Sequence, residues 1–175
     1  MVSLQYILND IWDIYGDPTM RESFPGGPLN VLVIVTSYLL IVLYIGPRLM
    51  KNRKAYGLSS LMKVYNLSNI VFNTIIFVVA MKVSNFGLKC FQCGSVITSD
   101  EQLVVGGGYY YLKIFDLLDT LIFILRKKDS QVSRLHVVHH VVIPCLVWLG
   151  IKFYPYPIAG MTILVNTFVH ILMYT

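Results

Sequence analysis

The sequence predicts an all-α fold, a polytopic bundle of transmembrane helices, and three observations lead there. Of its 175 residues, 56% are hydrophobic and 13% charged, against about 45–50% apolar and about 25% charged in soluble domains. That shortage of charge excludes both a solvated globular surface and intrinsic disorder. The apolar residues also gather in runs close to the roughly 17–25 residues that a tilted helix needs to cross hydrocarbon. Finally, the basic residues are concentrated in alternate loops, as in membrane proteins that follow the positive-inside rule.

Residues 1–24 are expected to be an exoplasmic segment. They are acidic (Asp10, Asp13, Asp17, Glu22) and lack a basic start and an apolar core, so they are no cleavable signal peptide. Residues 25–175 form the transmembrane domain, about five spans at 29–45, 64–83, 103–125, 135–151 and 157–174. Pro25-Gly26-Gly27-Pro28 is a turn signal that opens the first. Gly106-Gly107-Gly108 interrupts the third and is expected to mark its entry from the interface. The chain stops at Thr175 with no polar tail, as expected of a fragment or a truncated product.

Charge sets the expected orientation. Arg48, Lys51, Arg53, Lys54 and Lys63 follow the first span, and Arg126, Lys127, Lys128 and Arg134 follow the third; these are nine of the fourteen Lys and Arg residues. Both loops are therefore expected in the cytosol and the N-terminus on the exoplasmic side.

Ionisable residues inside a span cost several kcal/mol and are functional candidates by default. The third span holds Lys113, Asp116, Asp119 and Thr120, and the spacing puts Lys113, Asp116 and Thr120 on one stripe with Asp119 beside it. A self-neutralising Lys–Asp pair would equally explain the charges. The fourth span begins with His136, His139 and His140, whose spacing puts three imidazoles on one helical face. Imidazole can be a metal ligand, a general base or a nucleophile. The fifth span carries Asn166, His170, Met173 and Tyr174, the first three on a single stripe. An interhelical hydrogen-bond pair is the plain alternative there. With the expected orientation, all these groups fall in the cytosolic halves of their spans, so three helices would supply one polar chamber. Tyr65, Asn66 and Asn69 are weaker candidates for its lining.

Other signals carry less. Cys90 and Cys93 form a C-x-x-C in an exoplasmic loop, without the βαβ setting of a redox motif or the further ligands of a zinc site; a structural disulfide is expected. Cys145 is expected to pack, and Trp148 to join Tyr154 and Tyr156 in an exoplasmic aromatic belt. The glycosylation sequon Asn66-Leu67-Ser68 falls at the cytosolic start of the second span and is expected to go unused.

Together these residues resemble the ELO family of very-long-chain fatty acid elongases. Lys113-Ile-Phe-Asp116-Leu-Leu-Asp119-Thr120 is similar to the family's K-x-x-E-x-x-D-T box, with Asp116 in place of Glu. His136 to His140 fits its H-x-x-H-H box, and Asn166 to Tyr174 its N-x-x-x-H-x-x-M-Y box. Gly46-Pro47-Arg48-Leu49-Met50 also resembles the family. The resemblance implies a seven-span fold, incomplete here at the C-terminus, in the endoplasmic reticulum membrane with a lumenal N-terminus and the histidines facing the cytosol.

It also implies a reaction: condensation of a long acyl-CoA with malonyl-CoA to 3-oxoacyl-CoA, CoA and CO2. His139 would be the nucleophile, through an acyl-histidine intermediate, with His136, His140, His170, Asp116 and Asp119 around it. Lys113, Asn166, Arg126, Lys127, Lys128 and Tyr174 would contact substrate. No cofactor or metal is expected, nor a nucleic acid; the expected partners are both CoA thioesters, membrane lipid and the other enzymes of the elongation cycle. Two other classes fit part of the pattern: a membrane di-iron desaturase or hydroxylase built on the histidine box, and a non-catalytic membrane subunit.

Overall fold

A computed structural model describes residues 10–18, 27–91, 99–153 and 158–175. Among the described residues there are helices and turns but no strand. A short helix α1 (Ile11–Tyr15) precedes α2 (Leu29–Met50) and α3 (Ser59–Val83). The third apolar stretch contains α4 (Gly108–Phe115) and α5 (Leu118–Leu125), and α6 (Arg134–Phe153) and α7 (Ile158–Tyr174) complete the bundle. By length and composition, α2, α3 and α6 are long and apolar enough to cross a membrane. The remaining two stretches are helical too, but one is segmented and α7 has 17 residues.

The first span runs five residues beyond its expected end. Proline in a helix loses its N–H bond and crowds the carbonyl four residues back. Here a wider π-helical turn, Ile41–Ile45, precedes Pro47, so the helix continues to Met50. A Cβ at Gly46 would lie 2.8 Å from the Ile41 carbonyl oxygen and 3.0 Å from Ile124 Cγ2, which shows how closely α5 approaches.

The third stretch begins with another π-helical turn, Leu103–Gly107. Gly106 is buried and Gly108 half-buried, and both are packing positions: added Cβ atoms would meet Ile151 at 3.2 Å from Gly106 and Ile76 at 2.7 Å from Gly108. They let this segment approach α6 and α3, as small residues do in membrane bundles. Between α4 and α5 the backbone stays helical but tightens. Leu117 N–H bonds the Ile114 carbonyl at 3.2 Å and Asp119 N–H the Asp116 carbonyl at 3.1 Å, both three residues back. The tight turn falls on the acidic pair itself.

Contacts fix the relative directions. Tyr38 meets Thr120 and Gly46 lies by Ile124, and Lys113 and Asp119 meet His170 and Tyr174 in turn. By contrast, Gly108 and Phe115 meet Ile76 and Tyr65, and Gly106 and Thr120 meet Ile151 and His136. Thus α2 and α7 run with α4–α5, while α3 and α6 run against them. Both basic connections accordingly share one end of the bundle, where Tyr56 N–H bonds the Leu125 carbonyl at 3.0 Å.

At the opposite end α1 packs on α6. Lys152, 1% exposed, is paired with Asp13, and Trp12 meets Trp148 and Phe153 edge-on at 5.8 and 6.1 Å. Trp148 is 5% exposed and belongs to a core cluster with Val31, Val35, Tyr110 and Ile151. It is therefore no belt residue, because α1 covers the surface that a belt would present to lipid. Cys145 packs beside the same cluster, as expected. Cys90 is buried, which pushes its thiol above its ordinary pKa; Cys93, Tyr154 and Tyr156 lie outside the described residues.

Candidate active site

Four helices, α4 to α7, bring the candidate groups together. On α4 and the turn after it, Lys113 Nζ donates to Asp116 Oδ2 at 2.7 Å, both side chains being almost fully buried. The i, i+3 spacing makes this pair possible within one segment. From α7, His170 adds Nε2 at 3.4 Å from Lys113 Nζ and Nδ1 at 3.5 Å from Asp116 Oδ2. The Lys113 ammonium also lies 5.0 Å from the centre of the Tyr109 ring, within cation–π range. A single buried cation thus faces a carboxylate, an imidazole and an aromatic ring.

One turn further, Tyr174 donates to Asp119 Oδ2, while Tyr65 from α3 packs edge-on to Tyr174 at 6.1 Å. Tyr65 also donates to the Phe115 carbonyl at 3.3 Å. Asp116 and Asp119 therefore have separate partners, lysine and imidazole for the first and a phenol for the second. Both partners of these carboxylates from α7, His170 and Tyr174, come from successive turns of one helix face.

The histidine box forms the third part. The His136 and His140 ring centres are 4.3 Å apart and those of His139 and His140 are 5.6 Å apart. His136 Nε2 is 2.8 Å from Thr120 Oγ1, which is itself 2.8 Å from the Tyr38 hydroxyl. His140 is buried; His136 and His139 are half-buried. His139 lies within electrostatic reach of Lys113, Asp116 and His170, linking the two groups. Pro144, four residues on, cannot donate to the His140 carbonyl, so the backbone beneath the box lacks its usual helical bond there.

Lys113, Asp116, Asp119, His170 and Tyr174 are joined by direct contacts, and His136, His139 and His140 form a second group bonded to α5 through Thr120. Arg126 reaches the Met62 thioether, and Lys127 and Lys128 are exposed at the end of α5. Asn166 is half-buried with its Oδ1 unbonded, as are Asp116 Oδ1 and His170 Nδ1. Sequence reasoning missed Tyr38, Tyr109 and Asn73. Asn69 and Asn73, both 0% exposed, each give Nδ2 to the carbonyl four residues back and turn an unbonded Oδ1 inward. Their i, i+4 spacing inside an apolar run was the signal that could have found them; Tyr38 and Tyr109 offered none. Among the described residues, no group of three or more His, Cys, Asp or Glu is arranged to hold a metal ion.

Residues 26–175 match the ELO family, described as the GNS1/SUR4 family. The chain is similar to a very long chain fatty acid elongase of Aedes aegypti, at 36% identity over 98% of this chain and 51% of the relative. It is likewise similar to very long chain fatty acid elongase 1 of Mus musculus, at 35% over 91% of this chain and 60% of the relative. With very long chain fatty acid elongase 7 of Drosophila melanogaster the identity is 34% over 94% of this chain and 52% of the relative. The chain spans about half to three-fifths of the length of these relatives. With the family matched over residues 26–175 and its boxes meeting in one bundle, the chain belongs to the ELO family.

Proposed function

We propose that this chain forms the condensing site of a very-long-chain fatty acid elongase, a 3-oxoacyl-CoA synthase of fatty acid biosynthesis. The observation that carries the reading is that the histidine box bonds α5 through His136 and Thr120 and lies within electrostatic reach of the Lys113–Asp116–His170 cluster. In this mechanism the unprotonated ring nitrogen of His139 attacks the acyl thioester carbonyl, forming an acyl-imidazolium that keeps its other N–H and releasing CoA as its thiolate. Malonyl-CoA then loses CO2, and the resulting enolate carbon attacks the acyl carbon and frees the imidazole. A dry pocket slows the competing attack of water on the acyl-imidazole.

Hydrogen-bond donors are needed where the enolate oxygen develops charge; the imidazoles and Asn166 are the candidates. Lys113 holds Asp116 in place, and Arg126, Lys127 and Lys128 are positioned to meet CoA phosphates. In the cell the chain would sit in the endoplasmic reticulum membrane with its basic end in the cytosol, beside the other enzymes of the elongation cycle.

The test is acyl transfer, read separately from condensation. Purified chain in lipid nanodiscs, incubated with a long acyl-CoA, is expected to gain one acyl mass on His139 and to release CoA. The adduct is expected to disappear in His139→Ala and to be consumed when malonyl-CoA is added. An adduct that survives His139→Ala, or wild-type protein that never acylates, overturns the reading.

A further inference from the structure

The Tyr38 hydroxyl, Thr120 Oγ1 and His136 Nε2 form a chain of two 2.8 Å contacts joining α2, α5 and α6. Tyr38 is 4% exposed and Thr120 0%, so neither hydroxyl can exchange these partners for bulk water. The direction of each contact is set by where the protons sit. If His136 donates from Nε2 to Thr120, then either Thr120 donates to Tyr38 and the phenolic O–H has no acceptor among the described residues, or Thr120 accepts from both neighbours and its own O–H has none. Either way a buried donor is left unmet, at a cost of about 1–3 kcal/mol.

In the other arrangement Tyr38 donates to Thr120 and Thr120 donates to His136 Nε2. Every hydroxyl proton is then used, and the imidazole proton sits on Nδ1, which makes no hydrogen bond among the described residues.

We infer that Tyr38 and Thr120 are positioning residues that hold His136 as its Nδ1–H tautomer, a hydrogen-bond donor at the mouth of the histidine cluster. The two ring nitrogens then have separate jobs, since the one bonded to Thr120 fixes where the other puts its proton. His136 is half-buried and its ring lies against His140 at 4.3 Å. It is therefore free to act as a donor to a carbonyl or enolate oxygen, but its basic nitrogen is occupied and cannot compete with His139 as a nucleophile. This role in catalysis rests on the elongase reading; the tautomer itself does not.

Two readouts that do not depend on activity test it. In histidine-labelled protein in nanodiscs, nitrogen NMR is expected to find the His136 proton on Nδ1, assigned by its loss in His136→Asn; a proton on Nε2 overturns the inference. Diethyl pyrocarbonate reacts with the unprotonated ring nitrogen, here Nε2. Its rate at His136, mapped by peptide mass spectrometry, is expected to rise about tenfold in Thr120→Val, the scale of one lost hydrogen bond. Thr120→Ser, which keeps the hydroxyl, is expected to stay within about twofold of wild type, and Tyr38→Phe to fall between. Equal rates in wild type, Thr120→Val and Tyr38→Phe, with helicity unchanged by circular dichroism, overturn it. Wild-type protein that shows the Nδ1 proton yet never acylates supports the tautomer and overturns the elongase reading instead.

Discussion

Among the described residues, two Lys–Asp pairs with a buried lysine differ in their surroundings. Lys113 and Asp116 are three residues apart in one helical segment, and both are almost fully buried. Around them stand His170, Tyr109 and an unbonded carboxylate oxygen. Lys152 and Asp13 are 139 residues apart, Asp13 keeps 22% of its side chain exposed, and their surroundings are aromatic. The first pair lies among the groups of the candidate site, while the second ties α1 to the bundle. Burial of a lysine therefore does not by itself mark function. What marks the first pair is the imidazole, the aromatic ring and the unbonded carboxylate oxygen around it.

The sharpest way to break this comparison is to remove one partner from each. Asp116→Ala strands the Lys113 ammonium at 3% exposure, and breaking such a pair costs about 3–5 kcal/mol. The expected result is a large loss of thermal stability in nanodiscs together with loss of acylation. The double variant Lys113→Met, Asp116→Leu is expected to recover most of the stability and none of the acylation, because a charge pair can be replaced by apolar groups of similar volume. If acylation returned with stability, the pair would be as structural as the one at the other end.

A smaller effect is expected from Tyr174→Phe, which leaves the buried Asp119 carboxylate without its phenol donor. A lost hydrogen bond to a charged group is worth about 1.5–3 kcal/mol, measurable as a lower midpoint of thermal unfolding.

Lys152→Met should cost less, about 1 kcal/mol, since the Asp13 side chain is part-exposed and within reach of water. Limited proteolysis is expected to cut the released α1 sooner, with acylation at His139 unchanged. Lost acylation in this variant would mean that the two ends are coupled.

The smallest effect belongs to Gly108→Ala. The new methyl would gain about 0.5–1 kcal/mol of helix propensity, yet its Cβ would lie 2.7 Å from the movable end of Ile76. The two terms oppose, so the unfolding midpoint is expected to change by no more than about 1 kcal/mol in either direction.

Much of the site is legible in the chain's own pattern of residues. Lys113, Asp116, His136, His139, His140 and His170 stand out because charge and imidazole inside apolar runs are rare and costly. Helical spacing then assigns each to a face. The tertiary partners are not legible. Tyr38 reads as one more aromatic residue in a span, and Asp13 as one acid in an acidic segment. Lys152 counts only as a charge on the exoplasmic side, and Trp148 as a belt residue, because nothing local shows that α1 folds back over α6. The end of the first span is similarly set at residue 45 by hydropathy, although a π-helical turn carries the helix on to Met50.

The sequence by itself determined the membrane class, the order of the helices and which polar groups had to be inside, because hydropathy and the 3.6-residue period act locally along the chain. Only the tertiary structure decided who meets whom: His170 with Lys113, Thr120 with both Tyr38 and His136, Asp13 with Lys152. Those pairings depend on crossing geometry between helices, set by small residues such as Gly46 and Gly106 and by whole packed surfaces. No short stretch of sequence carries that information, since each contact is satisfied by residues distant along the chain.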